Sequence, residues 1–221
     1  MPRISRAVAV GYPHHITQRG NYRQDVFQSD EDYKQYLQWL KKYSDKYALK
    51  IWAYCLMSNH VHYVAVPLND DSLAKTFNTL HMMYSRYFNQ KSGGNGHLWQ
   101  GRFFSCVLDE PHVYAAVRYV ENNPVRAKMV DKAEDYLWSS AVSHLYKKSD
   151  PVLTDDCYLA DNIRDWRMYL NEKENSVMTD TLFQNTKTGR PCGTELFISQ
   201  IESIVGRRLS ALPPGRPRKT K

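Results

Sequence analysis

Two stretches hold side chains whose types and spacing could act on a phosphate. In "MSNHVHYVAVP", residues 57–67, His60 and His62 flank a single valine. Side chains on a strand alternate faces, so both imidazoles point the same way, about 6–7 Å apart along one face. Two neutral imidazoles so placed can converge on one divalent ion and leave positions open for water and substrate oxygens. An open site of this kind suits an exchangeable catalytic ion rather than a structural one. The alternative is two histidines on a half-exposed strand with no ligand. The adjacent His14-His15 is the weaker pair, because neighbours on a strand face opposite sides.

The second stretch is "EPHVYAAVRYVENNP", residues 110–124. Val113, Ala116, Val117 and Val120 recur at i, i+3, i+4 and i+7, the buried stripe of an amphipathic helix. Projected around that helix, Tyr119 and Asn123 share one flank of the stripe, Tyr114 takes the other, and Glu121 lies farther toward solvent. A hydroxyl and an amide at the edge of the core could reach a site on an adjoining sheet. Equally, Tyr119 could be a boundary tyrosine that only covers core.

The remaining elements must bring these two stretches together. "HHITQRG" alternates and ends at Gly20-Asn21, a strand running into a loop. "SDEDYKQYLQWLKKYSDKY" reads as a helix with Ser29 or Asp30 as N-cap. "LKIWAYCLM" and "HVHYVAVP" form a hairpin around Ser58-Asn59, and "SLAKTFNTLHMMYSRYFNQK" is a second long helix. "HLWQGRFFSCVL" is strand-like, and "YLWSSAVSHLYKK" is a helix after the Tyr119 helix. The order β-α-β-β-α-β-α predicts an α+β fold, an antiparallel sheet with packed helices close to the ferredoxin-like split βαβ pattern. This domain is expected over residues 1–148, followed by a helical C-terminal extension over 149–206 and a basic tail over 207–221. In the extension the pattern weakens, and only "TELFISQIESIVGRRL" reads as an amphipathic helix.

The net charge of +7 is unevenly spread over the 221 residues. The last sixteen hold Arg207, Arg208, Arg216, Arg218, Lys219 and Lys221 without an acid. Residues 1–24 and 72–108 are also free of acids and carry scattered Lys and Arg, whereas 131–180 are rich in Asp and Glu. Such asymmetry points to nucleic acid as partner. Arg19, Asn21 and Arg23 flank a glycine turn suited to close approach to phosphates. Trp99, Gln100 and Arg102 combine a stacking surface, an amide and a cation, although Trp99 could equally be core. The chain has no apolar run long enough for a membrane helix and no apolar N-terminal leader, so no membrane partner is expected. Cys55, Cys106, Cys157 and Cys192 lie far apart, which argues against a zinc ribbon or disulfide framework and fits a reducing cytoplasm.

"HHITQRGNYRQDVF", "YCLMSNHVHYVAVP", "LWQGRFFSCVL" and "YVENNPVRAKMV", in that order, closely resemble the REP-associated tyrosine transposases. These are single-tyrosine HUH (His–hydrophobic–His) transposases, related to those of IS200-like elements. The motifs extend over residues 14–130, and the "TGRPCGTELF…GRRL…PGRPRK" ending resembles the family's C-terminal segment. The resemblance implies that His60 and His62 bind Mg²⁺ or Mn²⁺ and that Tyr119 is the nucleophile. It implies a polar third ligand at Asn123, with helix capping beside Pro124 as the competing role. It also implies single-stranded DNA bearing hairpins as substrate, cleaved through a 5′-phosphotyrosine. The expected state is a monomer with the tyrosine acting in cis, a dimer that swaps the tyrosine helix being the alternative. Within "PGRPRK", Arg216, Arg218 and Lys219 resemble an AT-hook or serve as an electrostatic tail. A hairpin-binding regulator that does not cleave, and an RNA-binding protein, are the competing functions.

Overall fold

The computed structural model describes residues 6–210. In chain order the strands and helices are β1 (His14–Arg19), α1 (Asp30–Lys46), β2 (Leu49–Met57), β3 (His60–Pro67), α2 (Ser72–Ser92), β4 (Phe104–Val107) and α3 (Glu110–Glu121). There follow α4 (Asn123–Arg126), α5 (Ala141–Tyr146), α6 (Tyr158–Asn162), α7 (Trp166–Asn171), α8 (Ser176–Thr188) and α9 (Glu195–Val205). The strands form one sheet in the order β2-β3-β1-β4, with every neighbouring pair antiparallel. That is the expected split βαβ arrangement: β3 is threaded between β1 and β2, which the α1 crossover joins.

Each face of the sheet has its own core. On one face, Ile16, Leu56, Val61, Tyr63 and Ala65 pack against α1 and α2 through Tyr36, Leu40, Phe77, Leu80 and Tyr84. Helix α1 starts where Asp32 turns its carboxylate back to accept from the Ser29 and Gln28 N–H groups, at 3.0 and 2.8 Å. The same carboxylate accepts from Lys91 at the far end of α2, so a buried acid staples the two helices together. On the other face, Ala53, Cys55, Val64 and Cys106 meet the stripe Val113, Ala116, Val117 and Val120 of α3, all fully buried as its spacing requires.

Glu121 corrects the sequence reading. It was expected toward solvent, but it is fully buried. Helices α5 and α7 close over the end of α3, and the Glu121 carboxylate accepts from Ser140 Oγ, Trp166 Nε1 and His144 Nδ1 at 2.5, 2.8 and 2.6 Å. Helix α3 ends at Glu121: Asn122, with a ψ of 2°, leaves helical geometry before the short α4 restarts with Pro124 in its first turn.

Of the chain beyond residue 148, α6, α7 and α8 pack on the α3 face, whereas Val152 joins the opposite core and Ile201 of α9 packs with Ala7, Ala9 and Val107. Helix α8, unread in the sequence, packs against β4 and α3. It is bounded by Asn175, whose side chain accepts from Val177 and Met178 N–H, and by Gly189, at a left-handed φ of 78°. Both outer edges of the sheet are met by irregular chain. Trp138 and Ser140 bond along β2 through Leu56 and Tyr54, and Cys192 bonds to Val107 and Asp109 at the β4 edge. No described helix is long and apolar enough to cross a membrane.

Candidate active site

The pairing of β1 with β3 sets His60 opposite Arg19 and His62 opposite Thr17. Facing residues of antiparallel strands share a side, so His15, Thr17, Arg19, His60 and His62 all point to the α3 face. The rings of His60 and His62 lie 4.9 Å apart, centroid to centroid. Burial and the nearby Arg19 push His60 down to about 4. Burial likewise holds His62 well below the usual imidazole range, reinforced by His60 and His15. Both rings are therefore neutral at physiological pH, the form that ligates metal.

His60 is oriented by its neighbour. Its Nδ1 donates to Asn59 Oδ1 at 2.6 Å, and Asn59 Nδ2 donates to the Arg23 carbonyl at 3.2 Å. An N–H at Nδ1 leaves the lone pair on Nε2. Asn59 thus couples the histidine to the "GNYR" turn. That turn needs its glycine for room: a Cβ on Gly20 would lie 2.3 Å from the Gln24 carbonyl oxygen.

Tyr119 arrives from α3 in the same chain. Its ring centroid is 5.5 Å from that of His62 and 5.9 Å from that of His15, edge-on to both. Burial raises the phenol above its usual range, opposed by Arg126, Asn123 and Arg19. The Arg126 guanidinium sits over the Tyr119 ring, 4.5 Å from its centroid. Asn123 donates from Nδ2 to the Tyr119 carbonyl at 3.2 Å, so its amide closes the last turn of α3. This contact is of the helix-capping kind and engages Nδ2, not the amide oxygen that a metal would take.

Sequence reasoning missed one wall of the site. His15 is stacked on His62 at 5.3 Å, with its Nε2 3.1 Å from His62 Nδ1. Its Nδ1 lies 2.7 Å from Thr186 Oγ1 on α8. The rule that adjacent strand residues face opposite sides disposed of a His14–His15 pair and hid a His15–His62 pair across strands. His14 turns the other way, with Nδ1 donating to the Tyr12 carbonyl at 2.8 Å. Between sheet, α3 and α8 lies a cleft of about 310 Å³, lined by His15, Thr17, Arg19, Arg23, His62, Gln100, Tyr119, Phe183, Thr186 and Lys187 among others.

The residues expected to touch nucleic acid separate into groups. Arg19, Arg23 and Gln100 line the cleft. Their loops are laced together by Asn21 N–H to the Leu98 carbonyl and Gln100 N–H to the Arg19 carbonyl, at 2.7 and 3.0 Å. Arg102 opens instead onto a groove beside α2. Trp99 does not meet the expectation of a base-stacking surface. It is 7% exposed, tilted against His81 and Tyr84, and donates from Nε1 to the His81 carbonyl. Arg216, Arg218 and Lys219 lie outside the described residues.

The donor set fits an exchangeable divalent ion. Among the described residues, no group of three or more His, Cys, Asp or Glu side chains is gathered into a metal cage. His60 and His62 would contribute two neutral nitrogens and leave the remaining positions to water and substrate, the pattern of an open site.

The model of the family described as "Transposase IS200 like" matches residues 9–123, more than half of the chain. A solved structure of a REP-associated tyrosine transposase bound to a REP hairpin shares the fold at a TM-score of 0.54. The two are 19% identical, over 71% of this chain and 93% of that one. A candidate transposase from Deinococcus radiodurans is similar at 17% identity and a TM-score of 0.39, over 55% of this chain and 97% of that one. No curated protein matches the chain. The family match takes in β1 through the end of α3, the segment that carries both histidines and Tyr119, and the chain belongs to the IS200-like transposases.

Proposed function

We propose that the chain is a metal-dependent, single-strand-specific DNA endonuclease and strand transferase that acts on hairpin-bearing repeats through Tyr119. The observation that carries this reading is the meeting of Tyr119 with His62 in one chain, ring centroids 5.5 Å apart, at the mouth of a cleft edged by Arg19, Arg23 and Lys187. The solved structure of similar fold is described as bound to a REP hairpin, and the same class of DNA is proposed here.

Bound by His60 and His62, Mg²⁺ or Mn²⁺ would polarise the scissile phosphate and offset its charge. Asn123 belongs to the proposal as a third ligand through its amide oxygen Oδ1, since the contact with the Tyr119 carbonyl engages only Nδ2. Arg19 and Arg23 hold the flanking phosphates, and Gln100 meets an unpaired base at the cleft rim. The Tyr119 oxygen loses its proton to solvent and attacks phosphorus. The bond from phosphorus to the 3′ oxygen breaks, and that oxygen leaves as a 3′-hydroxyl. The product is a 5′-phosphotyrosine in which the phosphoester is retained, so a second 3′-hydroxyl can reverse the step and join strands. Arg126 and Asn123 ease ionisation of a phenol that burial otherwise keeps protonated. Because nucleophile and imidazoles come from one chain, a single copy suffices.

The test is incubation of end-labelled hairpin DNA with Mn²⁺ and either wild-type chain or Tyr119→Phe. Wild type should cut the single strand beside the hairpin and carry labelled DNA through denaturation. Tyr119→Phe should bind the hairpin and do neither. An adduct with the Phe variant would sink the assignment of the nucleophile, and binding without cutting by the wild type would favour a regulator.

A further inference from the structure

We propose that His15 and Thr186 are positioning residues that hold His62 with its proton on Nδ1 and the Nε2 lone pair free for the cleft. The inference rests on the reading of His60 and His62 as a metal pair, but the proton position can be read without metal.

The direction of the hydrogen bonds follows from one fixed end. Thr186 Oγ1 lies 2.7 Å from the Leu182 carbonyl, which can only accept, so the hydroxyl donates there. Its lone pairs are then left to accept. One takes the N–H of His15 Nδ1 at 2.7 Å, and the other can take the thiol of Cys106 at 3.2 Å. A neutral imidazole has one N–H, so His15 Nε2 carries a lone pair. That lone pair must accept from His62 Nδ1, 3.1 Å away. Water is poorly placed to substitute, because His15, His62 and Thr186 are exposed by only 2%, 5% and 2%. Asn59 does the same for His60 from the opposite side, accepting from Nδ1. On both histidines the lone pair left for a ligand is therefore on Nε2. The geometry also makes α8, from the C-terminal extension, a structural part of the catalytic centre. Such outer partners of ligating histidines fix tautomer and orientation.

One arrangement would reverse the chain. If Cys106 were a thiolate and His15 an imidazolium, His15 Nε2 would donate to His62 Nδ1. The remaining proton of His62 would then sit on Nε2 and block the lone pair.

The experiment is long-range ¹H–¹⁵N correlation on the metal-free, full-length chain with ¹⁵N-labelled histidine, beside Mn²⁺ titration followed by electron paramagnetic resonance. Wild-type His62 should be the Nδ1–H tautomer. Thr186→Val, which keeps side-chain volume and removes the hydroxyl, should mix the tautomers and weaken Mn²⁺ binding by about 10–100-fold. Thr186→Ser should restore both. Wild-type His62 protonated on Nε2 overturns the proposal without any variant. So does a Thr186→Val chain with unchanged tautomer and unchanged Mn²⁺ affinity. If the wild type shows the Nδ1–H tautomer and no Mn²⁺ binding, the hydrogen-bond chain stands and the metal reading of the site falls.

Discussion

Removing Glu121 should cost the fold far more than an ordinary glutamate does. The carboxylate is fully buried two residues past Tyr119 and accepts from Ser140 and His144, at the start of and within α5, and from Trp166 at the start of α7. Glu121→Ala leaves three donors without their acceptor, at roughly 1–3 kcal/mol each. The sum overstates the loss. Ser140 Oγ already has the Tyr54 carbonyl 3.3 Å away, and water can reach the partly exposed His144. Trp166, 6% exposed, has no such relief. The expected loss is therefore about 3–5 kcal/mol, toward the lower end of that sum. For a chain of this size that is a fall in Tm of roughly 6–20 °C. The assay is thermal and urea unfolding followed by circular dichroism, at neutral pH and matched concentration. A loss under about 1 kcal/mol would refute the assignment of this carboxylate as the joint between α3, α5 and α7.

Three further outcomes are expected. Stability should fall as pH drops from about 6.5 toward 4, because burial lowers His14 and His60 to about 4 and His81 to about 3 while the unfolded chain takes up protons near 6.5; equal Tm at pH 7 and pH 5 would contradict this. Arg126→Met should raise the Tyr119 phenol further, slowing cleavage at neutral pH and moving the rise of the pH–rate profile to higher pH; an unmoved profile would show that the guanidinium over the ring does not act on the hydroxyl. Trp99→Phe should lower unfolding stability and leave hairpin affinity within about twofold, since the indole is packed in the core and bonded to the His81 carbonyl; a selective loss of DNA binding in a chain of unchanged stability would reinstate a stacking role.

What the sequence made legible was what repeats locally. The two-residue period of "HVHYVAVP" put His60 and His62 on one face, and the spacing of Val113, Ala116, Val117 and Val120 gave the buried side of α3. What it hid depends on register and closure. His15 meets His62 only because β1 pairs with β3 in the register that sets Thr17 opposite His62. Glu121 is buried only because α5 and α7, far along the chain, close over it. Helix α8 has little apolar stripe of its own, with Leu182 and Thr186 its buried residues, so no periodic signal announced the segment that walls the cleft. The alternation of His15, Thr17 and Arg19 along β1 was the one available sign of a third histidine beside the pair.

The chain segments along both margins of the sheet bear on how this protein tolerates crowding. A margin strand that offers unpaired amides and carbonyls is a template on which a second molecule can grow. Here Trp138 and Ser140 occupy the outer ladder of β2, and Cys192 that of β4. A second molecule pairing with these stretches would have to displace the segments that hold them. Trimming the protein before Cys192 should therefore do more than shorten it: it would bare the Val107 end of the β4 margin and make the protein more prone to stick to its own kind.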